Sequence, residues 1–177
     1  MGNKIKKCLL MMILVTLVLC GCSLKEEKQC KEQVTKFLTA YQAQDVTCGE
    51  YLSGNEDDIP VQFEGFQSVL AKPIKFKIKS VEANKDYWIV DTVITNVDFG
   101  KVFEKLVNRE DLQIDTTDGI IAELKKQLQA EDAPKRNFEV QIKLDKEQKI
   151  EMTGELSNAL LGGYTQYIYE LTERGAR

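Results

Sequence analysis

Thiols and carboxylates are the groups of this chain that could do chemistry, because its 177 residues include five cysteines and no histidine. The missing imidazole excludes nucleophilic catalysis by Ser-His-Asp or Cys-His groups, and it excludes the usual histidine-containing metal sites. Gly162-Gly163 does not have the spacing of a glycine-rich phosphate loop. A strand carboxylate, two acidic clusters and the cysteines therefore remain as candidates.

Asp91 is the carboxylate best placed for acid–base chemistry. It lies in segment 87–96, which is predicted to be a strand with apolar side chains on both faces. A strand of this kind is normally covered on both faces by other parts of the protein or by a partner. Pairing with the preceding strand would bring Lys77 or Lys79 opposite Asp91, which predicts a cross-strand ion pair. The alternative is a pocket carboxylate whose raised pKa makes it a general base, although no second catalytic group can be placed.

Two acidic clusters offer oxygen ligands for calcium, but neither has the spacing of an EF-hand loop. They are Glu56-Asp57-Asp58 and the set Asp111, Asp115 and Asp118. We expect a solvated loop and a helix cap there, and no metal site.

Three lysines alternate with apolar residues between Ile74 and Lys79. The spacing puts Lys75, Lys77 and Lys79 on one face of a strand. A solvated or edge-protecting face is the simpler interpretation, and binding of an anionic wall polymer or of lipid headgroups is the alternative.

The amino-terminal segment has the order of an export signal. Lys4, Lys6 and Lys7 precede an apolar run from Leu9 to Leu19 in which only Thr16 is polar. The lysines would hold the amino end in the cytoplasm, and the run is shorter than the roughly 20 residues of a spanning helix. We predict a cleavable signal core.

Directly after this run stands Leu19-Cys20-Gly21-Cys22, which resembles the lipobox of bacterial prelipoproteins. In that family the cysteine, here Cys22, receives a diacylglyceryl thioether and becomes the mature amino terminus. Cys20 departs from the small or hydroxyl residue that is usual at its position, and an ordinary secretory signal is the alternative. Lys6 excludes N-myristoylation. The resemblance implies a signal peptide over 1–21 and anchoring by lipid on the extracytoplasmic face of the cell membrane.

The predicted mature chain is acidic and of single-domain size. Three of the 24 basic residues and none of the 28 acidic ones lie in 1–21, which leaves 21 against 28 and a formal charge of −7. This charge argues against nucleic-acid binding and against lying flat on anionic lipid. We assign 22–28 to a short tether and 29–177 to one domain.

Cys30 and Cys48 would lie outside the cytoplasm, where disulfides are permitted. A helix from Cys30 to Ala43 rises about 20 Å, whereas the five residues back to Cys48 span at most roughly 17 Å, so geometry is against a bridge. We expect Cys30 to be a buried apolar residue, with the pairing left open.

Hydrophobic periodicity predicts helices around two hairpins. An apolar helix stripe is formed by Cys30, Val34, Phe37, Leu38 and Tyr41. Short helices are predicted around 50–52, 63–70 and 102–106, the last capped by Asp98, and a longer one over 120–128 with Thr117 or Asp118 as cap. Strands are predicted at 74–78, 87–96, 138–144 and, as the return arm of the second hairpin, 150–152. A final helix over 156–171 is interrupted by Gly162-Gly163, where close backbone packing is expected.

This order predicts an α+β fold with four antiparallel strands packed against helices. Val93 to Phe99, the second hairpin and Leu156 to Gly163 are similar to small Gram-positive lipoproteins of uncharacterised function, which belong to the NTF2-like (cystatin-like) group. The resemblance implies a curved sheet that can enclose a pocket, and it carries no catalytic residues. This chain departs from the family pattern in one respect. The family has a tryptophan in the last strand, whereas the corresponding segment here, Lys149 to Met152, contains none.

Together these features predict a lipid-anchored, non-enzymatic binding or accessory domain at the cell membrane, with a membrane or envelope protein as partner and without cofactor, metal or nucleic acid. A small-ligand pocket protein and an NTF2-like acid–base enzyme are the alternatives. A deep cavity beside Asp91 would favour a ligand or an enzyme, and an exposed apolar patch would favour a protein partner.

Overall fold

The computed structural model describes residues 24–54, 63–109 and 116–175, which form an α+β fold. The described chain contains seven helices and three strands. The helices are α1 (24–42), a 3-10 helix (Val46–Tyr51), α2 (Gly65–Ala71), α3 (Phe99–Val107), α4 (Thr117–Leu128), α5 (Gly154–Leu160) and α6 (Tyr164–Gly175). The strands are β1 (Lys75–Ala83), β2 (Trp88–Val97) and β3 (Lys135–Leu144).

The strands form one open antiparallel sheet in the order β1-β2-β3. Phe76 pairs with Ile94, which pairs in turn with Phe138, so apolar side chains line one face across all three strands. This face packs in one buried cluster with the apolar stripe of α1 and with α5. The five stripe residues that the sequence predicts are all buried, which confirms the period of α1.

The predicted fourth strand is wrong for the described residues. Ile150 makes only isolated bridges, one to Leu144 and one to Leu52. Its backbone N–H donates to the Tyr51 carbonyl and its carbonyl accepts from the Ser53 N–H, both at 2.8 Å. Since the next helix begins at Gly154, too few residues follow Ile150 to continue a ladder beside β3.

A second apolar cluster lies where the sheet ends at Val97, and it joins α2, α3, α4 and the start of α6. Asp98 caps α3 as predicted, because its Oδ1 accepts from the Lys101 N–H at 3.2 Å. The cap of α4 is Thr116, whose Oγ1 accepts from the Gly119 N–H at 3.2 Å. The prediction of Thr117 or Asp118 for this role is wrong by one or two residues.

Gly162-Gly163 separates α5 from α6, and both glycines have left-handed φ values, +60° and +84°. A Cβ on Gly162 would overlap the carbonyl oxygen of Val97 and would lie 3.4 Å from Leu70 Cδ2. The Gly162 carbonyl also accepts from the Phe99 N–H at 3.0 Å. Close backbone packing therefore explains Gly162, as the sequence predicts, and the left-handed φ explains Gly163.

α1 begins at residue 24. Residues 24–28, which were expected to form part of a tether, are thus the first helical residues of the domain in this structure.

Candidate functional site

Several candidate residues lie outside the described residues: the predicted lipid-attachment residue Cys22, the cluster Glu56-Asp57-Asp58, and Asp111 and Asp115. Asp118 is exposed in the first turn of α4. Among residues 24–54, 63–109 and 116–175, no group of three acidic or thiol side chains could hold a metal ion.

Asp91 lies in β2 on the outer face of the sheet, which faces away from the α1 cluster. Its carboxylate accepts hydrogen bonds from Ser80 Oγ at 2.5 Å and from Gln141 Nε2 at 3.1 Å. The predicted ion pair with Lys77 or Lys79 is wrong. Lys77 pairs with Val93, and the register shifts between Ile78 and Ser80, so Ser80 stands opposite Asp91.

The hydrogen bonds from Ser80 and Gln141 lower the pKa of Asp91 below its usual value, and the nearby charge of Lys79 adds to this effect. Asp91 is therefore ionised at neutral pH and is a weaker base than an ordinary aspartate. The shift has the opposite direction from the raised pKa that the general-base hypothesis requires.

A shallow hollow of about 300 Å³ surrounds Asp91 on the outer face of the sheet. Its rim includes Lys79, whose Nζ lies 2.7 Å from Glu139 Oε1 across the sheet. Lys79 is therefore paired with Glu139, and Asp91 is the second carboxylate of the hollow. Lys75, Lys77 and Lys79 are exposed, as a solvated strand face predicts.

The second face of β2 was expected to be covered, and none of the residues that the structure describes forms a layer over it. Ile89 and Val93 are only half-buried, and they lie among exposed polar neighbours such as Glu139. Side chains on neighbouring strands shield these two residues in part, so the apolar alternation of β2 does not require a second layer.

Cys30 and Cys48 are both free and buried in the same core cluster. Burial is the main cause that raises the pKa of each thiol to about 11. Both thiols are neutral at physiological pH and are poor nucleophiles, because the thiolate is the reactive form. The expectation that Cys30 is a buried apolar residue is confirmed, and no bridge joins it to Cys48 in this structure.

The buried polar side chains of the described chain all have partners. Asn96, the most deeply buried of them, donates from Nδ2 to the carbonyl oxygens of Ala159 and Leu160, at 3.3 and 2.9 Å. Its Oδ1 accepts from the Val97 N–H at 2.7 Å. Asn96 therefore joins β2 to the end of α5 and has a structural role.

A hollow of about 390 Å³ lies at the Val97 end of the sheet. Val69, Val97 and Leu128 form its apolar floor, and the rim carries Lys72 and Lys135. No pattern in the sequence predicts this hollow, because its residues come from α2, α4 and the sheet, which are far apart along the chain.

α6 carries three exposed apolar side chains. Tyr164 and Tyr167 pack one side of the helix against Phe99. Their ring centroids lie 4.9 and 6.0 Å, respectively, from the ring centroid of Phe99. Ile168, Tyr169 and Leu171 are 42%, 66% and 37% exposed. Ile168 and Leu171 follow Tyr164 and Tyr167 by four residues on the same side of α6, but they face solvent.

No helix of the described segments combines the length and the apolar character needed to cross a bilayer. No family model, no curated protein and no solved structure matches this chain.

Proposed function

We propose that this protein is a bacterial lipoprotein, attached through Cys22 to the extracytoplasmic face of the cell membrane. Its folded domain acts as a non-enzymatic accessory domain that binds a membrane or envelope protein. The order of lysines, apolar run and Leu19-Cys20-Gly21-Cys22 supports the anchor. Two acyl chains on one cysteine suffice for stable attachment, so an acidic domain needs no basic surface for this purpose.

The exposed apolar side chains of α6 are the observation that carries the accessory role. Ile168, Tyr169 and Leu171 lie within one turn of α6, after the two tyrosines that pack on Phe99. Exposed apolar side chains that cluster on one element are typical of a protein-binding surface, and tyrosine is enriched in such surfaces. The neighbours Glu170, Glu173 and Arg174 would supply a polar rim.

An NTF2-like (cystatin-like) relationship is part of the same proposal. An antiparallel sheet with α1 and α5 against one face supports it. The sheet here is open and has three strands, and Asp91 lies on the face opposite the packed helices. An enzyme of this type would place its carboxylate inside the packed face, so the position of Asp91 favours a non-enzymatic domain.

Binding of a small ligand is the second candidate function, and the hollow at the Val97 end favours it. An apolar floor of Val69, Val97 and Leu128 suits a small amphiphile, whose polar group would meet a rim of Lys72, Lys135 and Glu131. The volume of about 390 Å³ is at the lower end of ligand pockets.

The test of the accessory role is site-specific photo-crosslinking in cells. A photoreactive amino acid replaces Tyr169, and the matched control places it at Lys126, which is exposed on α4. We expect one dominant protein adduct from position 169 that is absent from position 126. Adducts of equal yield at both positions, or none at either, would contradict a partner on α6 and leave the hollow as the better candidate.

The anchor is tested separately with Cys22→Ala. Because the thioether supplies the attachment, we expect this variant to leave the membrane fraction or to accumulate as uncleaved precursor. Unchanged retention of a processed protein would refute the anchor.

A further inference from the structure

The amino-terminal part of α1 lies at one end of the sheet, which we call the turn end. This end is formed by the β1–β2 turn (84–87) and by the turn after β3 (145–149). Gln148 Nε2 donates to Gln29 Oε1 at 3.2 Å, and this contact fixes the start of α1 beside the second turn. Lys146 Nζ lies 3.3 Å from Asp86 Oδ1, so the two turns also touch each other.

The other end of α1 lies toward the Val97 end of the sheet. Gln44, two residues beyond the helix, donates from Nε2 to the Ser68 carbonyl of α2 at 2.6 Å. α2 continues to Leu70, which packs beside Gly162 and the Val97 carbonyl. α1 therefore runs along the sheet from the turn end toward the Val97 end.

From this placement we infer that the turn end faces the lipid bilayer, so that the domain stands on the membrane in one orientation. The inference rests on the proposed anchor at Cys22. Only Ser23 separates that residue from the first helical residue, and two chain steps reach at most about 7 Å. The anchor thus holds the start of α1, and with it both turns, near the headgroups.

The chemistry of the turn end fits a lipid surface. Leu24, at the start of α1, is 67% exposed, and an apolar side chain so near the anchor gains free energy by entering the interface. The exposed charged groups at this end nearly cancel, with an excess of one lysine. They are Lys25, Lys28, Lys85 and Lys146 against Glu26, Asp86 and Glu147. The orientation therefore depends on the helix and the anchor, and anionic lipid is not needed for it.

The consequence concerns the surfaces that remain accessible. β2 spans ten residues from Trp88 to Val97, so the Val97 end stands about 30 Å farther from the bilayer than the turn end. The hollow between Lys72 and Lys135 and the start of α6 lie at that far end. A partner would be met away from the bilayer surface.

The test uses the full lipidated protein in vesicles of neutral lipid with a headgroup-linked nitroxide quencher. Four single variants, Lys85→Cys, Lys146→Cys, Lys72→Cys and Lys135→Cys, carry a fluorescent label, and the native Cys30 and Cys48 are buried. We expect strong quenching at positions 85 and 146 and little at 72 and 135. Equal quenching at all four positions on vesicle-bound protein would overturn the orientation.

Two controls separate this outcome from failure of the anchor. Vesicle flotation reports attachment, so protein that does not float refutes the proposed function and is not scored for orientation. A variant with a flexible Gly/Ser insertion of about ten residues after Ser23 should remain attached but lose the difference between the two label pairs, since such a linker is a random coil with a reach of roughly 18 Å. If the insertion leaves the difference unchanged, the short connection does not set the orientation.

Discussion

Replacement of Gly162 by alanine tests the packing that separates α5 from α6. Gly162 has φ +60°, and a Cβ there would overlap the Val97 carbonyl oxygen. The left-handed conformation costs an alanine about 1 kcal/mol. Pushing the β2 end and the glycine turn apart adds about 1–3 kcal/mol, as in other overpacked sites. We therefore expect Gly162→Ala to lower the free energy of unfolding by about 2–4 kcal/mol.

Two other glycines separate these contributions. Gly65 has φ +56° and open space around its Cβ position, so Gly65→Ala should show the conformational cost alone, about 1 kcal/mol. Gly154 has open space and no left-handed φ, so Gly154→Ala at the start of α5 should be neutral or slightly stabilising.

The assay is equilibrium urea unfolding followed by the fluorescence of Trp88, the only tryptophan of the chain. The three variants are compared at equal denaturant slope, since a changed slope would indicate a changed unfolded state. For a domain of this size each kcal/mol shifts Tm by roughly 2–4 °C, which gives an independent check by thermal melting. A Gly162→Ala variant no less stable than Gly65→Ala would refute the close approach of Gly162 to Val97.

Three further predictions follow from single contacts. Asn96→Ala leaves the carbonyls of α5 without their donor and should lower the free energy of unfolding, measured in urea, by about 1–3 kcal/mol. The control Asn137→Ala, at an exposed position, should lower it much less, and equal losses would contradict the structural role of Asn96. The pKa of Asp91 is lower in the folded protein than in the unfolded chain, where it is about 3.9. Ionised Asp91 therefore stabilises the fold at pH values above the unfolded-state pKa, and this stabilisation is lost as the pH falls through the lower folded-state pKa. Asp91→Asn should therefore flatten the fall in the urea midpoint between pH 5 and pH 3, and an unchanged fall would refute the lowered pKa. Cys30 and Cys48 should react with a maleimide at pH 8 only after unfolding, and failure to react in denaturant would show that a bridge joins them.

Local periodicity was sufficient to predict most helices and strands. The apolar stripe of α1 can be recognised within about two helical turns, and the alternation of β3 within a few residues. Both patterns arise because one face of each element is buried. The cap at Asp98 and the glycine pair were also predictable, since their chemistry concerns the adjacent backbone.

Strand register was not predictable in the same way. An irregularity of one residue between Ile78 and Ser80 replaces a lysine by a serine as the neighbour of Asp91. No local pattern marks this position, because the alternation before it is regular and the shift is decided by how both strands pack on the core. The candidate ion pair was therefore wrong even though both strands were predicted.

By itself, the sequence determined the chemistries that are excluded and most of the elements that form. The lack of histidine and the periods of the apolar residues are properties of the chain that no folding can change. The tertiary structure decided which residues meet: Asp91 with Ser80, Gly162 with Val97, and the start of α1 with the turn after β3. It also decided that Ile168 and Leu171 face solvent. Contacts between distant segments depend on register and on the packing of whole elements, and neither is encoded in any short window of the sequence.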